Sequence, residues 1–241
     1  MTEIDAVLFD WGGTLTAWHD IDFHAESLAL AAAVVAAPDG EHSDADRLAH
    51  AGRLHEAGSI VWGWSRDEQR SATVTDLFEV AGLGHDPALL TAYREFWEPH
   101  TLTDPQVRPL WEELRALGLK VGVLSNTLWP RDWHRGWFAR DGVLDLIDGD
   151  VYSSEIPWTK PSPHAFEAAM AAVGVADPAR CVYVGDRLFD DVWGARSAGL
   201  VAVHIPHSDI PAEQIGHTEG VPDAVAHELA EIPGILARLG A

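Results

Sequence analysis

The sequence has little cysteine, few lysines and no long apolar run. A single cysteine, Cys181, excludes an intrachain disulfide, and its place in the apolar run 181–184 predicts a buried core residue instead of a reactive thiol. No stretch of about 18 apolar residues occurs, and the first residues contain neither a basic segment nor a long apolar one. We therefore expect neither a membrane span nor a secretory leader, and we expect a cytoplasmic protein.

Positive charge is also scarce, since 16 Lys and Arg residues face 38 Asp and Glu residues and the formal net charge is -22. A charge of this sign repels the backbone of nucleic acids and anionic membrane surfaces, so neither is expected as a partner. A small anionic ligand would have to meet a local positive centre. Only two lysines are present, and Lys160, between Thr159 and Pro161, is the better candidate for that centre than Lys120, which begins a predicted strand.

Apolar strands and helices alternate through most of the chain. Residues 6–9 are apolar on both faces, which is typical of a buried parallel strand, and Gly12-Gly13 predicts a turn after it. Helical periodicity dominates residues 17–99, where helices are predicted over 27–37, 44–57, 67–81 and 87–96. Alternation returns from residue 100 and ends in a closing helix predicted over 223–239.

This pattern predicts an α/β fold in which helices flank a parallel sheet. We expect a core domain made of residues 1–16 and 100–241, with a small helical domain of residues 17–99 inserted after the first strand. Ligands of such sheets bind beyond the carboxyl ends of the strands. Asp10, Ser125 and Asp186 each follow a predicted strand, so we expect them to meet in one crevice that Lys160 reaches from a loop.

Four separated motifs resemble the haloacid dehalogenase (HAD) superfamily of hydrolases that use an Asp nucleophile. They are Phe9-Asp10-Trp11-Gly12-Gly13-Thr14-Leu15, Leu124-Ser125-Asn126, Lys160-Pro161-Ser162-Pro163 and Val184-Gly185-Asp186 followed by Asp191. They occur in the order of that family, with the helical insertion at the position of its C1-type cap. The resemblance implies a Rossmann-like core with a helical cap over the carboxyl edge of the sheet.

The resemblance also implies a role for each motif residue. Asp10 would attack phosphorus and form an aspartyl-phosphate, Ser125 and Lys160 would hold the phosphate, and Mg²⁺ would be bound by the carboxylates of Asp10, Asp186 and Asp191 and by the carbonyl of Gly12. A carboxylate about 4 Å from a phosphate charge is repelled by roughly 4 kcal/mol at an effective dielectric constant of 20. The positive charges of Mg²⁺ and Lys160 would turn this net repulsion into attraction.

Five further residues are predicted to contact the substrate. Asn126, Gly13 and Thr14 belong to the motifs, whereas Arg66 and His19 lie in the helical insertion. Arg66 follows Trp62 and Trp64, so a partly aromatic pocket with one anion contact is expected there, although packing of the helical domain explains the same tryptophans.

Position 12 departs from the family pattern, because phosphatases of this family carry there an Asp that protonates the leaving oxygen. Gly12 supplies no proton, and general acid–base catalysis is worth about 10² to 10⁴ in rate. Phosphonatases lack this Asp too, but their Schiff base requires a cap lysine, and residues 17–99 contain none. Dehalogenases need no metal, and the acidic pair Asp186 and Asp191 argues against that reaction. His19 or His24 could supply the proton instead.

The sequence therefore predicts a hydrolase, with a Mg²⁺-dependent phosphatase for a small phosphorylated metabolite as the favoured function. A regulatory protein that binds a phosphorylated ligand with negligible turnover, and a 2-haloacid dehalogenase, remain as alternatives. We expect a monomer or a homodimer.

Overall fold

The fold is built on one six-stranded parallel sheet with the strand order β3-β2-β1-β4-β5-β6. The computed structural model describes residues 4–17, 21–35, 43–84, 87–206 and 218–240. The strands are β1 (Ala6–Phe9), β2 (Lys120–Ser125), β3 (Gly149–Tyr152), β4 (Cys181–Gly185), β5 (Val201–His204) and β6 (Ala224–Val225). The predicted α/β fold with a parallel sheet is confirmed.

Nine α-helices accompany the sheet in the described part of the chain. They are α1 (Phe23–Val35), α2 (Asp44–Glu68), α3 (Val74–Val80), α4 (Pro87–Trp97), α5 (Val107–Ala116), α6 (Arg131–Arg140), α7 (Pro163–Val173), α8 (Gly194–Ser197) and α9 (Ile232–Leu239). A π-helical turn, Leu188–Trp193, leads directly into α8. No described helix is both long and apolar enough to cross a membrane.

Strand β1 is central because both of its faces are buried. Val7 and Phe9 belong to one apolar cluster, and Ala6 and Leu8 belong to a second cluster on the opposite face. Successive side chains of a strand point to opposite faces, so a continuous apolar run is what a strand covered on both sides requires. Cys181 in β4 is fully buried, as predicted.

The register aligns the carboxyl ends of three strands. Phe9 pairs with Val123 of β2 on one side and with Val184 of β4 on the other. Asp10 comes next and donates its backbone N–H to the carbonyl of Val184 at 2.9 Å. Residues that follow β1, β2 and β4 therefore emerge at one edge of the sheet.

Helices α1 to α4 lie between β1 and β2 in the chain, and α1 packs against α2 and α4. Capping boxes begin two of them, since Ser43 and Thr73 each exchange hydrogen bonds with an Asp three residues later. The side chains of these helices share one apolar cluster with those that cover the sheet.

Two predicted helix boundaries are wrong. Helix α2 continues through Gly58 and Gly63 to Glu68, so the predicted end at residue 57 is too early and the predicted start at residue 67 falls inside α2. The next helix begins only after Thr73, where the capping box supplies a start that apolar periodicity alone does not show.

The predicted closing helix over 223–239 is also wrong in its first half. Residues 224–225 form β6, which pairs in parallel with β5, and α9 begins only at Ile232. Asp223 accounts for the difference, because its backbone N–H and its carboxylate bond the backbone of Ala202 at 2.8 and 2.9 Å. These bonds hold the segment at the sheet edge before the helix starts.

Candidate active site

The sheet edge gathers three polar residues from three strands. Asp10 follows β1, Ser125 ends β2 and Asp186 follows β4, and all three are buried. The register therefore places the three residues at one edge of the sheet. A polar group buried in this way needs a partner or a ligand, because removal from water is otherwise costly.

Lys160 supplies the positive charge of this group. Its Nζ lies 2.6 Å from Asp10 Oδ1 and 2.6 Å from Asp191 Oδ1, and it donates to the hydroxyl of Tyr183 at 2.9 Å. The side chain is only 3% exposed. The other lysine, Lys120, is exposed at the start of β2 and pairs with Asp148 at 3.3 Å.

Two side chains position Lys160. The amide of Asn126 donates to the Lys160 carbonyl at 2.9 Å and accepts from the Lys160 N–H at 2.7 Å. The hydroxyl of Tyr183 donates in turn to the carbonyl of Leu124 at 2.9 Å. Asn126 was predicted to contact substrate, and here both ends of its amide hold Lys160. Tyr183 was missed, because a tyrosine in a buried strand gives no sign of its hydroxyl partner.

The carboxylates of Asp10, Asp186 and Asp191 form one cluster, in which a ligand oxygen of each lies within 4.8 Å of the others. The π-helical turn brings Asp191 back to the strand end, and Arg187 N–H donates to Asp191 Oδ2 at 2.8 Å. Gly185 makes room for this carboxylate, since a Cβ there would lie 2.5 Å from Asp191 Oδ2. Hard oxygen donors of this kind suit Mg²⁺.

Burial dominates the electrostatics of the cluster. It raises the pKa of Asp10 to about 8, with repulsion from Asp191 and Asp186 adding to the effect and attraction by Lys160 opposing it. The pKa of Lys160 is raised because the attraction of Asp10 and Asp191 outweighs its burial. Lys160 contacts Asp10 and Asp191, and Asp186 adds a third carboxyl group to the cluster, so a divalent cation bound there would favour the ionised form of Asp10.

A cavity of about 510 Å³ opens onto this cluster. Asp10, Ser125 and Lys160 line it at the sheet edge, and residues of α1 to α4 line it together with the segments that follow β1, β2 and β4. Its volume is that of a small-molecule site. Aromatic rings form a continuous wall, because Trp129 lies 5.5 Å from Trp11 and 5.0 Å from Trp97 between ring centroids.

A partly buried carboxyl group that the sequence did not reveal also lines the cavity. Glu26 in α1 accepts a hydrogen bond from Trp97 Nε1 at 2.6 Å. Burial raises the pKa of Glu26 to about 7, and the Trp97 hydrogen bond partly opposes that shift. Glu26 stands in an Ala- and Leu-rich helix and belongs to no motif, so only its contact with a residue 71 positions away reveals it.

The remaining predicted residues are placed differently. Gly12 lines the cavity, whereas the backbone N–H of Gly13 donates to the Thr16 carbonyl at 3.0 Å, and Thr14 is fully buried. Arg66 lines the cavity and forms an ion pair with Asp67 at 2.9 Å.

The two histidines proposed as proton donors are not both described. His24 is exposed on α1 and does not line the cavity. His19 lies outside the described residues.

The chain is similar to known hydrolases in both sequence and structure. A family model for a hydrolase, the haloacid dehalogenase-like hydrolase, matches residues 4–199. A solved HAD phosphatase from Thermococcus onnurineus superposes with a TM-score of 0.63 at 25% sequence identity, covering 97% of this chain and 98% of that one.

Two curated relatives differ in activity. A glyceraldehyde 3-phosphate phosphatase from Methanopyrus kandleri is 33% identical over 147 residues, which is 58% of this chain and 62% of that protein. The chain therefore spans less than two thirds of that relative. A phosphonoacetaldehyde hydrolase from Latilactobacillus sakei is 24% identical over 99% of this chain and 97% of its own length.

Proposed function

The chain belongs to the haloacid dehalogenase-like hydrolases, and on that premise we propose that it is a Mg²⁺-dependent phosphatase acting through an aspartyl-phosphate on Asp10. The observation that carries the proposal is the contact of Lys160 with both Asp10 and Asp191, beside Asp186, where a cavity of small-molecule size opens. We also propose a small phosphorylated metabolite as substrate, since relatives include proteins named glyceraldehyde 3-phosphate phosphatase and phosphoserine phosphatase. A cytoplasmic location remains part of the proposal.

In the proposed first step, a carboxylate oxygen of Asp10 attacks phosphorus and the bond from phosphorus to the ester oxygen breaks. Lys160 places a positive charge beside the nucleophile, so that the Asp10 carboxylate and the phosphate dianion can approach. Ser125, at the end of β2 on the cavity wall, donates its hydroxyl to a phosphate oxygen. The leaving alkoxide takes a proton from water.

In the second step, water attacks the phosphorus of the aspartyl-phosphate, and phosphate leaves as the Asp10 carboxylate is restored. Bound by Asp10, Asp186 and Asp191, with the Gly12 carbonyl as a further donor, Mg²⁺ would neutralise charge on the phosphoryl group. These carboxyl groups would hold the metal, and its positive charge would favour their ionised forms.

The proposal is tested by measuring phosphate release from a panel of metabolite phosphates with and without Mg²⁺, with Asp10→Asn as the blank. We expect Mg²⁺-dependent turnover that Asp10→Asn abolishes. Turnover of 2-haloacids without metal would contradict the proposal in favour of a dehalogenase. Binding of phosphate esters without a trapped aspartyl-phosphate on Asp10 would favour the regulatory alternative.

Gly12 leads to a separate prediction about the leaving group. Without an acid at this position, the rate should depend steeply on leaving-group pKa across a series of aryl phosphates. Gly12→Asp should flatten that dependence and raise turnover of alkyl phosphates by about tenfold or more. A flat dependence in the wild-type enzyme would show that another residue donates the proton.

A further inference from the structure

Glu26 is a carboxyl group that the reaction at Asp10 does not use. Its Oε1 accepts from Trp97 Nε1 at 2.6 Å. Within the described ranges, no Lys, Arg or His lies within ion-pair distance of Glu26, and Trp97 is the only side chain that donates a hydrogen bond to it. A partly buried carboxyl group without a cationic partner costs stability unless a ligand supplies the missing charge.

The need of Trp97 for an acceptor does not explain this charge. A glutamine at position 26 would accept the same hydrogen bond from Trp97 Nε1 without carrying an ionisable group into the cavity. Relative to glutamine, the carboxylate therefore adds one property to this part of the cavity, which is negative charge.

The surroundings of Glu26 are aromatic. Phe23 and Tyr93 have ring centroids 6.2 and 6.4 Å from the ring of Trp97, and all three residues line the cavity with Glu26. The faces of aromatic rings attract cations, most strongly where water is excluded. A carboxylate among such rings matches an organic ammonium group better than it matches a hydroxyl or an apolar group.

The same cavity reaches the nucleophile. Trp97 contacts Trp129, which contacts Trp11, and Trp11 directly follows Asp10. Asp10, Lys160 and Glu26 all line this one cavity of about 510 Å³, so a phosphate held at Lys160 and a group held at Glu26 would occupy the same space.

We propose that Glu26, with Phe23, Tyr93 and Trp97, forms a subsite for an ammonium group, and that the preferred substrates are phosphate monoesters of small amino alcohols. The identity of the substrate class rests on the proposed phosphatase function. The ammonium subsite itself is a binding property and can be measured without turnover.

The test compares phosphoethanolamine with propyl phosphate and 2-hydroxyethyl phosphate in the presence of Mg²⁺. These two esters have nearly the same shape, but a methyl or a hydroxyl group replaces the ammonium group. Wild-type kcat/KM should favour phosphoethanolamine by about tenfold to 100-fold, the range expected for a hydrogen bond to a charged group. Glu26→Gln should abolish this preference, mainly through a higher KM for phosphoethanolamine. Glu56→Gln, which changes an exposed glutamate of α2, is the matched control and should keep the preference.

Two outcomes would overturn the subsite. One is a wild-type enzyme that does not prefer phosphoethanolamine to either of the other two esters. The other is an equal loss of all three activities in Glu26→Gln, which would place Glu26 in the chemical step or in folding.

Hydrolysis of p-nitrophenyl phosphate, which has no ammonium group, distinguishes failure of the subsite from failure of the phosphatase proposal. If the protein is not a phosphatase, it will not hydrolyse this ester either. Calorimetric binding of phosphoethanolamine and propyl phosphate to the wild-type protein decides the subsite in that case. Tighter binding of phosphoethanolamine supports it, and equal binding overturns it.

Discussion

At the scale of single residues, Lys160 is the charge on which the acidic cluster depends. It is buried and contacts two carboxylates at 2.6 Å each, while Asp186 lies in the same cluster. Burying charges is costly, so such an arrangement is stable only while every charge has a partner. The lysine therefore stabilises the fold as well as the proposed reaction.

We predict that Lys160→Met lowers the free energy of unfolding by about 3 to 5 kcal/mol, because Asp10 and Asp191 lose their shared partner. Mg²⁺ should recover part of that loss, since it supplies positive charge to the same carboxylates. Urea unfolding with and without Mg²⁺ measures both effects.

The only other lysine is the control for this prediction. Lys120 is exposed and pairs with Asp148, so Lys120→Met should cost less than about 1 kcal/mol and should show no response to Mg²⁺ beyond that of the wild type. Equal losses in the two variants would contradict the proposed dependence on Lys160.

Glu26 makes stability depend on pH in a defined direction. Burial raises its pKa from 4.5 to about 7. Between these values the folded protein keeps a proton that the unfolded chain has lost, so the stability present below pH 4.5 is lost as pH rises through 7. A shift of this size corresponds to about 3 kcal/mol.

We predict that Glu26→Gln equals the wild type in stability near pH 4 and exceeds it by about 1 to 3 kcal/mol at pH 8. Urea unfolding at the two pH values measures the difference. The other titratable side chains of this part of the cavity are present in both proteins, so the change in relative stability with pH is assigned to Glu26. They are Tyr93, His55, His100 and Arg66. A variant less stable at pH 8 would show that the ionised carboxylate stabilises the folded state.

At the scale of elements, the segment after β4 determines where the carboxylate of Asp191 lies. The strand ends at Gly185, Asp186 follows, and the π-helical turn returns Asp191 over the glycine. The motif resemblance predicts Asp191 as a metal ligand. The turn is what brings Asp191 to Asp10 and Asp186.

We predict that Gly185→Ala weakens Mg²⁺ binding by about tenfold or more, because a Cβ at this position would displace the Asp191 carboxylate. Calorimetric titration with Mg²⁺ measures the change. Gly52→Ala is the control: its Cβ would meet nothing within 4 Å, and in α2 it should stabilise the protein by about 0.5 to 1 kcal/mol. Unchanged Mg²⁺ affinity in Gly185→Ala would exclude Asp191 as a ligand.

At the scale of the whole molecule, the cavity is lined by two parts of the chain, the helical insertion of residues 17–99 and the remainder that forms the sheet. Asp10, Ser125 and Lys160 come from the sheet edge, whereas Glu26, Tyr93 and Trp97 come from the helices between β1 and β2. Backbone hydrogen bonds join these two parts. In one of them, the Val74 N–H donates to the Leu128 carbonyl at 2.9 Å. That residues 17–99 behave as a separate cap domain remains a prediction.

The net charge of -22 gives a prediction at the same scale. A phosphate dianion approaches a molecule of the same sign, and monovalent salt screens that repulsion. At saturating Mg²⁺, kcat/KM for a phosphate ester should therefore rise about twofold or more between 0.02 and 0.2 M KCl. A fall in kcat/KM over this range would show that the positive charge at the site dominates the approach.

The parallel sheet and the meeting of Asp10, Ser125 and Asp186 at its edge could be predicted from the sequence. Both follow from local information, because apolar runs define buried strands and the residue after a parallel strand must lie at its carboxyl edge. Lys160 was also recognised, since it is one of two lysines and stands in an unusual loop.

The contacts made by the side chains around these residues depend on the tertiary structure and could not be predicted from the sequence. Tyr183 and Asn126 hold Lys160, Asp223 holds β6 at the sheet edge, and Trp97 meets Glu26 across 71 positions of sequence. Such contacts join segments whose separation in the chain carries no signal of their approach. Their energy depends on burial and distance, which exist only once the helices have packed over the sheet.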